Sequence, residues 1–237
     1  MDLMKCLGFS KKKADNGKEA PAENNASFVL TDRYPRAEGE ARIFNLIVLD
    51  ESGSMGPIRA QAFNGANETI RTIRTAQHEN ADDRQMLTFV TFDQASDRKD
   101  IRVLVDNQRI EEVKDLNWEQ YRPNGMTPLY DAMGISINAL QKHVKEGDNV
   151  LVTVITDGAE NASHIYTAEM IKELVASLNS KGWTFTYIGA NQDSEQAAYG
   201  LGINSSMDFE ASPAGTGMMY DRMNSSRRAY YKKVHHS

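Results

Sequence analysis

Two stretches of this chain, Ile43 to Leu49 and Val150 to Thr156, are nearly unbroken runs of apolar residues. A strand with one wet face alternates apolar and polar side chains, whereas a strand covered on both faces does not. Two such runs therefore predict a central, mostly parallel sheet with helices packed on both sides. The segments between them agree. Ile58, Ala62, Ala66, Ile70 and Ile73 recur every three to four residues, and Pro57 suits the first turn of the helix they predict. Shorter strands are expected at Met86–Phe92, Ile101–Val105 and Trp183–Ile188, with an edge strand at Asn204–Phe209. Helices are expected over 129–145, through Met170–Leu178, at Ser194–Tyr199 and from Pro213 to about Lys232. This alternation is the pattern of a doubly wound α/β domain.

The rest of the chain adds boundaries. Residues 1–27 hold little to bury and are expected to form a flexible N-terminal tail, leaving 28–237 as a single domain that ends in a C-terminal helix. Phe28-Val29-Leu30 reads as a short edge strand or a docking point. The net charge of −6 gives no footing for a nucleic-acid partner. No apolar run reaches the roughly 18–20 residues of a membrane span. The one cysteine, Cys6, rules out an internal disulfide framework; the basic residues Lys11–Lys13 follow the short apolar patch instead of preceding it, and no signal segment of about 7–15 apolar residues is expected. A cytoplasmic setting is the expectation.

In a doubly wound sheet, ligands bind beyond the carboxyl ends of the central strands, where the chain order reverses. Both apolar runs lead into short polar segments. After Leu49 comes Asp50-Glu51-Ser52-Gly53-Ser54, and Thr156 is followed by Asp157-Gly158. Alternate residues of an extended segment point the same way, so Asp50, Ser52 and Ser54 can converge, with Gly53 easing the turn. Carboxylates and hydroxyls without nearby Cys or His suit a hard cation, chiefly Mg2+, with Mn2+ or Ca2+ as alternatives. Two neighbouring aspartates repel each other, and a divalent cation removes that penalty.

The segments DESGSM at 50–55, GMTPLYDA at 125–132 and ITDGAEN at 155–161 resemble the von Willebrand factor type A (vWA) domain with its metal-ion-dependent adhesion site. The resemblance covers about residues 40–235. It implies that Ser52, Ser54 and Thr127 approach a metal through their hydroxyls, and that Asp50 and Asp157 act directly or through water. It implies a non-enzymatic, intracellular bacterial interaction module, whose open metal position takes an Asp or Glu carboxylate from a protein partner. The competing expectation is a Mg2+-dependent haloacid-dehalogenase-like phosphohydrolase with Asp50 as nucleophile. That chemistry wants an acid two residues later, where this chain has Ser52. A third is a structural or regulatory role with an inactive metal site.

Around the five residues, the loop 121–126 is expected to form a rim, together with Glu51, Met55, Glu160, Asn161, Asn191 and Asp193. Glu51 sits at a free position of the motif and is expected to tune partner choice by its charge. Met86, Met133 and Met170 fall on core positions, and Met218, Met219 and Met223 suggest one packed stripe. Trp118 and Trp183 are read as core or partial core, and the basic end RRAYYKKVHHS as a solvated helix face.

Overall fold

The computed structural model describes residues 27–80, 82, 84–97, 99–190 and 194–235. Apart from Ser27, the expected tail lies outside them, as do Cys6, Asn191, Asp193 and His236. Among the described residues, six strands form one sheet: β1 Ile43–Asp50, β2 Gln85–Phe92, β3 Ile101–Arg109, β4 Asn149–Thr156, β5 Thr184–Ala190 and β6 Ser206–Phe209. Their order is β3-β2-β1-β4-β5-β6. Only β3 runs antiparallel, at one edge and beside β2. The two apolar runs, β1 and β4, pair with each other at the centre, where the order reverses.

Among the described residues, five helices cover the sheet: α1 Arg59–Glu79, α2 Leu129–Gln141, α3 Ala168–Asn179, α4 Ser194–Gly200 and α5 Pro213–His235. One core cluster joins Phe44, Leu46, Val48, Val152 and Val154 of the sheet to Met133 and Ile137 of α2, Val175 of α3 and Ala198 of α4. The other joins Ile47, Leu49 and Ile155 to Ile58, Ile70 and Ile73 on the α1 side, and to Met219, Tyr220 and Met223 of α5. Adjacent residues of one strand feed opposite clusters, which is why the central strands read as continuously apolar.

Several boundaries differ from the sequence expectations. Pro57 does not open α1. It lies within a short 3-10 stretch, Gly53–Ile58, that turns the chain from β1 into the helix. Helix α2 stops at Gln141, although Val144 still packs on the core. Phe28-Val29-Leu30 forms no strand. Leu30 plugs into the core while Val29 faces solvent, so the segment docks by side chains. Met170 and Met218 are exposed, and only Met219 and Met223 of the α5 trio are buried. Trp118 is 41% exposed, while Trp183 is core. The basic end is not uniformly solvated either, for Arg227 is 2% exposed beneath α5.

Candidate metal-binding site

Asp50 is the last residue of β1, and Thr156 is the last of β4. Parallel pairing of these strands brings the two ends together. The Thr156 hydroxyl donates to Asp50 Oδ2 at 2.6 Å, and the Ser52 amide donates to Oδ1 at 2.7 Å. Below the carboxylate, the Tyr121 hydroxyl donates to the Asp50 carbonyl at 2.8 Å. Asp50 is fully buried, and burial pushes its pKa up to about 6 despite the donated hydrogen bonds. Asp157 is also raised by burial, more exposed than Asp50 though it is.

The hydroxyls form a chain between these acids. Ser52 Oγ and Ser54 Oγ are 3.0 Å apart, and Ser54 Oγ donates to Asp157 Oδ1 at 2.6 Å. Thr127 arrives from the loop before α2. A Cβ added to Gly158 would meet Thr127 Oγ1 at 3.3 Å and Ser54 Oγ at 3.6 Å, so both hydroxyls border the same small space. The structure thus gathers Asp50, Ser52, Ser54 and Asp157 through direct or shared hydrogen bonds, with Thr127 beside them.

Helix capping does not account for these hydroxyls. Ser52 occupies the cap position of the 3-10 stretch, yet its side chain makes no capping bond. Thr127 precedes α2, but the α2 amides are satisfied from elsewhere. Glu160 accepts from the Tyr130 amide at 2.9 Å, and Ser163 accepts from the Asp131 amide at 3.0 Å. Asn161 in turn brackets Thr127, accepting from its amide at 2.8 Å and donating its own amide to the Thr127 carbonyl at 3.1 Å. Glu160 and Asn161, expected on the rim, hold the Thr127 loop and the start of α2 in place.

The rim itself needs further correction. Met55 is buried in the core. Tyr121 is buried as well, under Asp50. Glu51 is 0% exposed, and its carboxylate is bound by Arg102 Nη2 and by the Arg122 amide. It cannot meet a partner. Its role is to tie the first loop to edge strand β3 and to the 121–126 loop, where the Asn124 amide also donates to the Glu51 carbonyl at 2.8 Å. Gly125 closes the same junction. It has φ +74°, its carbonyl accepts from the Gly53 amide at 3.1 Å, and a Cβ there would stand 2.3 Å from the Gln94 carbonyl oxygen.

The donor set suits a hard cation. Octahedral Mg2+ with oxygens at about 2.1 Å sets adjacent ligand oxygens about 3 Å apart, and the Ser52–Ser54 separation meets that spacing. Among the described residues, no group of three or more His, Cys, Asp or Glu side chains is disposed to hold a metal. A cation here would rest on two carboxylates and three hydroxyls, a set that leaves much of its charge unneutralised.

Comparison with known proteins now bears on the site. The family model for the von Willebrand factor type A domain matches residues 46–213. The chain belongs to this family. Among curated proteins, no match is found. Solved structures similar to this vWA domain include the PilB minor pilin from Streptococcus sanguinis, at 12% identity over 82% of this chain and 63% of that one, with TM-score 0.57. A von Willebrand factor type A structure from Catenulispora acidiphila matches at 15% identity over 78% of this chain and 42% of that one, with TM-score 0.54. The pilus adhesin SpaC from Lactobacillus rhamnosus GG matches at 13% over 86% and 31%, with TM-score 0.60. At these identities the likeness is one of fold. The chain spans less than two thirds of each of these structures. The vWA domain is typically a protein-interaction module, and the phosphohydrolase alternative is not favoured: the position for its general acid is Ser52, whose hydroxyl faces Ser54. Among the described residues, no helix is long and apolar enough to cross a membrane.

One contributor escaped the sequence reading, Thr156, which binds the Asp50 carboxylate; Tyr121 was expected on the rim and instead binds the Asp50 carbonyl from beneath. Thr156 had a signal, as a hydroxyl that closes an apolar run. The burial of Tyr121 had none, since its contact depends on how its loop folds back under β1.

Proposed function

We propose that this vWA domain binds a protein partner through a divalent cation held by Asp50, Ser52, Ser54, Thr127 and Asp157. Mg2+ is the preferred ion, with Mn2+ or Ca2+ as substitutes, because every donor is a hard oxygen. The observation that carries the reading is the run of hydroxyls from Ser52 through Ser54 to Asp157, made by side chains that neither cap a helix nor fill a core. When bound, the cation would offer an electrophilic position to an Asp or Glu carboxylate of the partner. The chain's own residues orient the donors: Thr156 and the Ser52 amide fix the Asp50 carboxylate, and Asn161 fixes the Thr127 backbone.

Calorimetric titration of Mg2+, Mn2+ and Ca2+ into the wild-type chain and into Asp50→Ala and Thr127→Ala tests the cation. Saturable binding by the wild type, lost in both variants, is expected. Equal heats in all three proteins would defeat the reading. Affinity capture in Mg2+ against chelator, with the same variants, then tests the partner: a protein retained only by Mg2+-loaded wild type is expected, and retention indifferent to chelator would remove the cation from the interaction.

A further inference from the structure

The apolar face that the sheet turns toward α2 and α3 runs out at its edge strand. Val90 and Phe92 of β2 are 0% exposed, yet Val103 and Ile101, paired with them in register on β3, are only partly buried. Phe28 and Ile165 are also half-buried, and the four side chains border a groove of about 700 Å³ between β3 and the loop that leads into α3. Polar groups on its border are already engaged. Asp131 accepts from the amides of His164, Ile165 and Tyr166 at 2.8, 2.9 and 2.7 Å. Arg102 Nη2 donates to the Glu51 carboxylate, and to the Gln120 carbonyl at 2.9 Å. Exposed Lys99 and Asp100 set opposite charges at the margin. What the groove leaves uncovered is therefore chiefly apolar, and its size falls within the roughly 300–1,000 Å³ of ligand-binding clefts.

The chain itself arrives at this groove. Ser27, the first described residue, lies on its border beside Phe28. Upstream, the sequence is sharply divided. Residues 10–26 carry no apolar side chain larger than proline, whereas Met1, Leu3, Met4, Cys6, Leu7 and Phe9 crowd into the first nine positions. The same nine hold one acid, Asp2, and one base, Lys5, so neither charge at the groove margin excludes them. The connection from Phe9 to Ser27 can extend to about 60 Å, ample for a return to a groove that begins at Ser27. A tether of such length holds a segment near its site at an effective concentration on the order of millimolar, so a weak contact suffices. We propose that residues 3–9 dock within their own chain in the groove formed by Phe28, Ile101, Val103 and Ile165, covering the apolar edge of the sheet. The docked segment borders the cation-binding residues without depending on them. His164 Nε2, at the groove margin, lies 3.4 Å from Gln94 Nε2, and the Gln94 backbone pairs with Met126, next to Thr127.

Cys6, the chain's one cysteine, lets a nitroxide be attached to the segment. The full chain is studied in chelator, so the cation-binding reading takes no part in the outcome. NMR follows the methyl signals of Ile101, Val103 and Ile165, with Ile70 of α1, on the opposite side of the sheet, as reference. Expected is at least a twofold loss of intensity at the three groove residues, none at Ile70, and recovery when ascorbate reduces the nitroxide. The double variant Leu7→Asp/Phe9→Asp keeps the tether and removes two apolar anchors. Both positions precede Ser27, so the contacts of the described core stay in place. In this variant the intensity loss should disappear, and without the nitroxide the three groove signals should shift between wild type and variant. Equal intensity loss in the two chains would mean that tethering alone brings the label near, and would overturn the proposal. Methyl signals identical in the two chains without nitroxide would overturn it too, leaving the groove to another molecule. So would intensity loss in a mixture of nitroxide-bearing chain and isotope-labelled chain without nitroxide, which would assign the segment to the groove of a second copy.

Discussion

The Thr156 hydroxyl holds Asp50 Oδ2 at 2.6 Å, so the final side chain of β4 fixes the final carboxylate of β1 across the centre of the sheet. Removing that hydroxyl leaves a buried carboxylate oxygen without its donor, which typically costs about 1–3 kcal/mol, more when the group is charged. Thr156→Val is therefore expected to lower stability by roughly that amount in urea unfolding, and to weaken Mg2+ binding by about tenfold in calorimetry through loss of carboxylate orientation. Thr127→Ala provides the contrast. The Thr127 loop is held through its backbone, so this variant is expected to lose cation binding while its urea midpoint stays close to wild type.

The raised pKa of Asp50 makes a pH prediction whose sign is fixed. Burial lifts this acid from 3.8 to about 6, so the folded chain binds its proton more tightly than the unfolded chain does. The associated stability is present below pH 3.8 and is lost as pH rises through 6, amounting to roughly 3 kcal/mol for such a shift. Asp50→Asn escapes that loss. In chelator at pH 7.5 it is expected to be more stable than wild type by an amount of that order, with the difference shrinking as pH falls toward 4, as read from urea midpoints across pH. A less stable Asp50→Asn at pH 7.5 would show that the carboxylate's hydrogen bonds outweigh its desolvation.

Glu51 behaves as structure rather than specificity. Its carboxylate is fully buried against Arg102, and breaking such a pair from one side typically costs about 3–5 kcal/mol. Glu51→Gln is expected to lower the Tm markedly. Any variant still folded should bind Mg2+ with near wild-type affinity, because Glu51 points away from the hydroxyl chain toward β3 and the 121–126 loop.

The contrast between Glu51 and Asp50 shows what a sequence can carry. Strand centrality was legible because β1 and β4 are apolar on both faces, and the position of Asp50 followed from the end of its run. That Asp50, Ser52, Ser54 and Asp157 lie together was legible from the ends of the two runs, and Thr127 beside them from the resemblance. Glu51 was misread because period-two reasoning turns it away from Asp50 and Ser52 but cannot say whether that side holds water or Arg102. Tyr121, Trp118 and Arg227 fail for the same reason. Each has its environment set by an element distant in sequence: Asp50 of β1 over Tyr121, Arg59 of α1 against the Trp118 ring at 4.0 Å, and Thr153 of β4 against Arg227. Loop position put Tyr121 on the rim and a charge run put Arg227 in solvent, whereas both are buried; Trp118, read as core or partial core, lies 41% exposed.

Gly125 supplies the sharpest backbone test of the site. Its φ of +74° is one that side chains resist, and a Cβ would meet the Gln94 carbonyl oxygen at 2.3 Å, a contact with backbone that no rotamer change relieves. The Gly125 carbonyl also receives the Gly53 amide in the middle of the Ser52–Ser54 turn. Gly125→Ala must therefore push the 121–126 loop away from both Gln94 and Gly53. The expected outcome is a loss of about 1–3 kcal/mol in urea unfolding, the range for strain at special backbone positions, accompanied by weaker Mg2+ binding because Ser52, Ser54 and Thr127 lose their common frame. Gly56→Ala serves as the control: no atom lies within 4 Å of its added Cβ, and its φ is not in the left-handed region. Stability and Mg2+ affinity of that control should stay near wild type, and a Gly125→Ala protein indistinguishable from it would mean that the loop accommodates the methyl without displacing the hydroxyl chain.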